Sequence, residues 1–182
     1  MPTLDKLRQQ AIDDPEIPEP VRRFLAAGAP RENIHLNAFG QWSHEGEPFI
    51  NQKLARLFHQ SLHRTEQGTW YLHIAPYSYP VTVALTDRFI DRVRGEGPRF
   101  DAHFIGALSD EWTPLHLESV YTDGHDLLAT THQGRPVRFV GTAYRDLLER
   151  LDMSGEDYRL RFQDVTLPVS SLPIGFFHPL RN

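Results

Sequence analysis

The chain contains no cysteine. Disulfide bonds, thiol nucleophiles and thiolate metal sites are therefore excluded. The sequence also lacks an apolar run that approaches the length of a membrane span. Residues 1–10 have no apolar core of the kind that marks a secretion signal, so we expect a cytoplasmic protein.

An excess of positive charge is absent as well. The formal net charge is −5 at pH 7 in a chain of 182 residues, which argues against extended, charge-driven binding of nucleic acid. A local basic pocket for one phosphorylated small molecule stays compatible with this charge. A hydrophobic fraction of 40% is enough for the core of one domain or of two small ones.

A pattern of glycine, proline and leucine occurs twice along the chain. Gly46-Glu47-Pro48-Phe49 precedes one amphipathic stretch, and Gly134-Arg135-Pro136-Val137 precedes another. The segments Leu72–Pro80 and Leu160–Pro168 follow these stretches with equal spacing. The repetition predicts two similar units, and the seam between such units is a common place for a ligand.

Hydrophobic periodicity predicts an α+β fold with largely antiparallel sheet and one helix in each β-rich unit. We expect an N-terminal helical leader at 1–31, a first unit at 32–110 and a second unit at 111–182, with a polar junction at Asp110–Pro114. The clearest helix is Ile50–His63, whose apolar side chains share one face. The other predicted helices are 3–12, with Thr3 as its N-cap, 18–27 and 142–151. The predicted strands are 34–38, 41–44, 69–75, 80–85, 89–94, 100–108, 115–122, 125–131, 136–140, 158–163 and 166–170. The predicted turns are 76–79, 95–98 and 123–124.

Several short motifs resemble a known bacterial family. They are Trp42, Gly46-x-Pro48, Arg56-Leu57-Phe58, Gly68-x-x-Tyr71-Leu72, Val81-x-Val83 and Asp87-x-Phe89. Their order is similar to that of the domain-of-unknown-function family 1285 (DUF1285). The resemblance implies a duplicated core and a C-terminal half with a pleckstrin-homology-like fold. It also implies a nucleotide-like ligand between the halves and a role in signalling.

Basic and aromatic residues offer a candidate ligand site. The guanidinium group of arginine can donate two parallel hydrogen bonds to a phosphate, and aromatic rings can stack on bases. Arginines at 88, 92, 94 and 99 crowd one predicted hairpin. The predicted ligand-binding residues are Lys53, Arg56, Trp42, Tyr77, Tyr79 and Arg92. The ordinary alternative is that these arginines face water and that the aromatic rings belong to the core.

We therefore predict a regulatory protein that binds a small anionic, nucleotide-like ligand at the interface of two similar units, without cofactor, metal or catalysis. One alternative is a protein-interaction module, which would act as a homodimer or with another protein. A second alternative is a metal-assisted hydrolase that uses His59 and His63, four residues apart on the predicted helix. The remaining histidines show no ligand spacing, and no G-x-S-x-G nucleophile motif is present.

Overall fold

The computed structural model describes residues 3–28, 32–95, 99–108, 110–122, 127–131, 134–152, 157–162 and 165–171. The chain is an α+β protein, as predicted, and it divides into two compact units, Met1–Leu85 and Thr86–Asn182. This division lies at 85/86 rather than near 110, because strands within 86–122 pair with one another. Residues 89–108 therefore belong to the second unit. Among the helices of the described residues, none combines the length and apolar character needed to cross a membrane.

The first unit begins with two short helices that pack on each other. Its elements are α1 Leu4–Asp13, α2 Glu19–Ala26, β1 Ile34–Leu36, β2 Trp42–His44, β3 Glu47–Pro48, α3 Gln52–Gln60, β4 Leu62–Arg64, β5 Trp70–Ile74, β6 Tyr77–Pro80 and β7 Thr82–Val83. Thr3 caps α1 by accepting a hydrogen bond from the Lys6 backbone N–H at 3.4 Å, as the sequence predicts. The Arg8 guanidinium joins the helices by donating to the Leu25 carbonyl oxygen from Nε at 3.0 Å.

The strands of the first unit form two sheets, ordered β3-β2-β1-β7 and β4-β5-β6. A tight turn at Glu45–Gly46 joins β2 to β3, and both residues have positive φ (51° and 87°), as mirror-image hairpin turns require. Leu36, Trp42 and Leu72 are buried.

Two expectations for the first unit are wrong in detail, and the exposure of α3 is a feature that the sequence did not predict. The predicted helix Ile50–His63 ends at Gln60, because the Ser61 carbonyl accepts the His73 N–H and Leu62–Arg64 pairs with β5. Residues 77–79 form part of a strand rather than a turn, since Tyr77–Pro80 pairs with β5. The apolar face of α3 is largely exposed: Leu54 and Leu57 are 38% and 41% exposed, and Ile50 before the helix is 94% exposed.

The second unit is built on a ring of strands. Its elements are β8 Phe89–Arg94, β9 Arg99–Phe104, β10 Thr113–Thr122, β11 Leu127–Thr131, β12 Pro136–Phe139, α4 Gly141–Glu149, β13 Leu151–Asp152, β14 Arg159–Phe162 and β15 Val165–Ser171. The order β11-β12-β8-β9-β10 closes on itself, because β10 also pairs with β11. Closure leaves these strands without an unpaired edge. The predicted junction Asp110–Pro114 overlaps the start of β10, and the predicted turns at 96–98 and 123–124 lie outside the described residues.

The core of the second unit combines ring strands with α4. Phe139 and Leu147 are 2% and 1% exposed. The buried members of this core are Ile90, Phe100, Ala102, Leu115, Leu117, Val120, Leu127, Ala129, Val137, Phe139, Ala143, Leu147 and Leu160.

Strand registers recur between the units. In the first unit Leu72 lies opposite Leu62 on one side and Tyr79 on the other. In the second unit Leu160 lies opposite Leu151 and Leu167 in the same way. In both cases a helix precedes the three strands. An origin by duplication and a pleckstrin-homology-like second unit stay predictions.

Candidate functional site

The ligand residues predicted in the first unit lie on different elements. Lys53 and Arg56 are exposed on α3. Trp42 is 2% exposed, and its ring packs edge-on against Phe58 and His59 at centroid distances of 5.4 and 5.7 Å. A buried indole in these contacts belongs to the core rather than to a surface on which a base could stack.

The two predicted tyrosines, Tyr77 and Tyr79, both lie in strand β6, but they differ in solvent exposure. Tyr77 is 76% exposed. Tyr79 is partly buried, and its hydroxyl oxygen accepts the Glu32 backbone N–H at 2.6 Å. Of the six predicted residues, only Arg92 belongs to the second unit.

His59 and His63 do not form the metal pair that their spacing allows. The His59 ring contacts Trp42, and its Nε2 lies 3.0 Å from the Gly40 carbonyl oxygen. His63 lies beyond the helix in β4, where it faces Tyr71 of β5. The shared helical face assumed for this pair is therefore absent.

A basic and aromatic surface lies on β8, β9 and β10 of the second unit. Cross-strand pairs place Arg94 beside Asp101, Asp101 beside Pro114, and Arg99 beside His116. Because alternate residues of a strand share a face, Arg92 and His103 extend the same surface. We call this surface the arginine face; it comprises Arg92, Arg94, Arg99, Asp101, His103, Trp112, Pro114 and His116.

Trp112 organises one end of the arginine face. The guanidinium carbons of Arg94 and Arg92 lie 4.5 and 5.4 Å from its ring centroid. Both distances fall within the range of cation–π attraction. The His103 ring meets the indole edge-on at 5.8 Å. Trp112 therefore holds two arginines over one part of the sheet.

His103 is buried beneath this cluster, at 6% exposure. Its Nδ1 lies 2.6 Å from Asp91 Oδ1, and its Nε2 lies 3.0 Å from the Leu108 carbonyl oxygen. Each ring nitrogen of His103 therefore has one oxygen partner within hydrogen-bond distance. The Asp91–His103 pair thus fixes the loop at Leu108 to strand β9.

A cavity of about 330 Å³ opens beside the arginine face. Ligand pockets begin at about this size. Its lining residues are Arg94, Gly95, Arg99, Phe100, Asp101, Pro114, Leu115 and His116. Arg94 forms an ion pair with Asp101 at 2.8 Å. Arg99 is exposed and, among the described residues, makes no ion pair.

Arg88, the fourth arginine of the predicted cluster, has a different environment. Its guanidinium lies over the Phe104 ring at 5.8 Å. Burial lowers the pKa of Arg88, the nearby positive charge of Arg135 lowers it further, and Asp87 partly opposes both effects. Asp87 itself pairs with Arg135 at 3.0 Å. These contacts commit Arg88 to local packing.

Sequence reasoning identified the arginines of this surface but missed His103, Trp112 and His116. The alternation of 112, 114 and 116, which begins one residue before β10, is a usable signal, because alternate residues of an extended chain lie on one face. The register between β9 and β10 then brings that face to Arg99.

The comparisons with known proteins concern the fold. No family profile matches the chain, and no curated protein matches it. The chain is similar in structure to a DUF1285 family protein from Silicibacter pomeroyi DSS-3, with a TM-score of 0.53, 14% identity, and coverage of 76% of this chain and 79% of that one. A DUF1285 family protein from Shewanella baltica OS155 aligns over 68% of this chain and 95% of that one, with 16% identity and a TM-score of 0.46. The first of these alignments gives the chain a DUF1285-like fold.

Proposed function

We propose that this protein, with its DUF1285-like fold, binds a small anionic ligand of nucleotide size on the arginine face and acts in regulation rather than catalysis. The observation that carries the proposal is the cavity of about 330 Å³ beside Arg99, an exposed arginine with no ion pair among the described residues. A guanidinium in this state can donate two parallel hydrogen bonds to a phosphate or carboxylate.

Local charge supports an anionic ligand although the whole chain is acidic. The arginine face carries Arg92, Arg94 and Arg99, while Asp91 and Asp101 supply the acidic groups in contact with it. Among the described side chains of the face and its contacts, three arginines therefore meet two aspartates, against a net charge of −5 for the chain. Such a patch attracts an anion locally and leaves long nucleic acids repelled by the remainder of the surface.

The contacts indicate separate roles for the arginines. Arg99 is available to meet the ligand directly. Arg94 is shared between Asp101 and Trp112, so it can turn toward a phosphate while the indole still restrains it. Arg92 also lies on Trp112. In this proposal Trp112 positions the guanidinium groups.

A binding role fits the titratable groups of the face better than a catalytic one. The Asp91 carboxylate and the His103 ring are engaged with each other at 2.6 Å. His103 is buried, and its second nitrogen contacts the Leu108 carbonyl oxygen. These groups therefore maintain the shape of the face. A ligand that favours one conformation of the protein would shift its population, which is the minimum that a sensor requires.

The test is a binding titration of the untagged chain with nucleoside mono- and triphosphates, a cyclic dinucleotide and pyrophosphate, with an unphosphorylated nucleoside as the neutral probe. A ligand at about 100 times its Kd stabilises the folded state by about 2.7 kcal/mol. Loss of a hydrogen bond to a charged group costs about 1.5–3 kcal/mol. We therefore expect Arg99→Ala to weaken binding roughly tenfold to a hundredfold.

Arg145→Ala is the matched control, because Arg145 is an exposed arginine on α4 of the same unit. It should bind the ligand as the wild type does. Equal affinity in Arg99→Ala and the wild type would refute the site. Failure of every anionic probe to bind the wild type would refute the function. Binding of the neutral nucleoside with the same affinity would refute the anionic class of ligand.

A further inference from the structure

The three-stranded sheet of the first unit carries two histidines on one face. His63 on β4 lies opposite Tyr71 on β5. His73 lies two residues further along β5 and therefore shares the face of Tyr71. Ser78 on β6 lies opposite His73. The sheet register thus gathers residues that are distant in sequence, and the histidines come from adjacent strands.

The two imidazole rings are close enough to share a metal ion. Their centroids are 6.2 Å apart, with an interplanar angle of 73°. A metal bound to one nitrogen of each ring at about 2.1 Å places the centroids roughly 5–6.5 Å apart. The observed separation lies within this interval. Both histidines are exposed, so a hydrated cation can reach them and small rotations of the side chains are available.

Each ring is also oriented by a neighbour. His63 stacks on Tyr71 with a centroid distance of 5.4 Å and an interplanar angle of 25°. Nδ1 of His73 lies 2.8 Å from the Ser78 Oγ. When Nδ1 donates to this hydroxyl, Nε2 carries the lone pair that binds a metal. Histidines that ligate metals nearly always donate their other N–H to an oxygen in this way. Ser78 is 8% exposed, so its hydroxyl is a fixed partner.

We propose that His63 and His73 form an open two-histidine site for a borderline divalent cation, which joins β4 to β5 and binds Cu²⁺ most tightly. Imidazole ligands suit copper, nickel and zinc, and the usual order of affinity places copper highest. In the described part of the chain, no group of three or more histidine, cysteine, aspartate or glutamate side chains is placed to hold one metal. Water would therefore complete the coordination, and the ion would exchange readily.

The site has a structural consequence. Strand β4 is at the edge of its sheet and pairs only with β5 among the described strands. A cation that bridges His63 and His73 ties this edge strand to its neighbour across the pairing direction. We expect Cu²⁺ to raise the melting temperature of the protein, because a ligand that binds only the folded state stabilises it. The site lies wholly in the first unit and does not depend on ligand binding at the arginine face.

The experiment is a calorimetric titration of the untagged chain of 182 residues with Cu²⁺, paired with melting curves in Cu²⁺ and in chelator. We expect one ion per chain. His63→Gln and His73→Gln should each lower the affinity at least tenfold and abolish the shift in melting temperature. Ser78→Ala should lower the affinity about 10- to 100-fold, as loss of an orienting partner does.

His44→Gln is the control, because His44 is an exposed histidine of the same unit that pairs with Glu32 at 3.2 Å instead. It should bind Cu²⁺ as the wild type does. No binding by the wild type overturns the proposal, as does binding that both His63→Gln and His73→Gln retain. A loss of Cu²⁺ affinity in His44→Gln would show that the ion binds at a different site, and this result would also overturn the proposal. If His73→Gln lowers the melting temperature in chelator, His63→Gln decides the outcome, since the His63 side chain makes only ring contacts among the described residues.

Discussion

His35 is a half-buried histidine in β1, between Ser43 of β2 and Thr82 of β7. Burial lowers its pKa from the ordinary value of 6.5. The folded protein therefore keeps His35 neutral at a pH where the unfolded chain has already bound a proton. Stability rises with pH wherever the unfolded state binds more protons. This contribution is complete above pH 6.5 and is lost as the pH falls from there toward the lowered pKa.

We expect the free energy of unfolding to fall more steeply between pH 7.5 and pH 5 in the wild type than in His35→Gln. Urea titrations at several pH values measure this difference. The comparison between variants is needed because every other ionisable group is common to the two proteins, so that the contributions of those groups cancel. Identical slopes for wild type and His35→Gln would show that burial of His35 has no part in the pH dependence.

At the scale of elements, the two N-terminal helices are joined to the remainder of the first unit by a buried carboxylate. Asp14, directly after α1, is 0% exposed. Its Oδ2 accepts the Thr65 hydroxyl at 2.6 Å, and its Oδ1 accepts the Glu16 N–H at 3.0 Å. The Thr65 hydroxyl oxygen in turn accepts the Thr69 N–H at 2.9 Å. This chain of bonds connects the leader to the turn between β4 and β5.

Removal of the carboxylate should loosen this connection. We expect Asp14→Ala to lower the free energy of unfolding by about 1–3 kcal/mol, because buried donors lose their acceptor. Asp13→Ala is a close control, since the adjacent Asp13 is exposed and bonds only Gln9 at 2.9 Å among the contacts seen. Urea unfolding measures both. Equal losses in the two variants would contradict a fastening role for Asp14.

The sequence predicts elements well where the signal is local. Strand Phe89–Arg94 has the predicted bounds, and the Thr3 cap gives the start of α1. The end of α3 is missed because Leu62 continues the apolar spacing of the helix, whereas the pairing of Leu62 with Leu72 decides its strand conformation. Pairing between distant segments overrides local periodicity at such points.

The candidate site follows the same rule. The arginines at 92, 94 and 99 are visible as a local cluster, so sequence alone indicates a basic hairpin. The burial of Trp42 and the contacts of Trp112 are not visible, because both depend on tertiary packing. The proximity of His63 and His73 likewise depends on the register of β4 on β5. This register cannot be predicted from the spacing of the two histidines along the chain.

At the scale of the whole molecule, each unit has its own buried residues. Leu36 in β1 of the first unit is 0% exposed, and Leu147 in α4 of the second is 1% exposed. The Leu147 side chain packs in the core formed with the strand ring. A protein of two compact units can open one unit while the other stays folded, and hydrogen exchange detects such partial opening.

Core truncations should therefore act locally. Leu147→Ala is expected to cost about 2–5 kcal/mol, since it leaves a cavity in the core of the second unit. Hydrogen exchange monitored by mass spectrometry should show faster exchange in β8–β12 and little change in β4–β6. Leu36→Ala is the reciprocal variant and should produce the opposite pattern. Equal acceleration of exchange in both regions by either variant would mean that the chain unfolds as one cooperative body. In that case, a ligand or metal ion that binds one unit would stabilise the other unit as strongly as the unit that it binds.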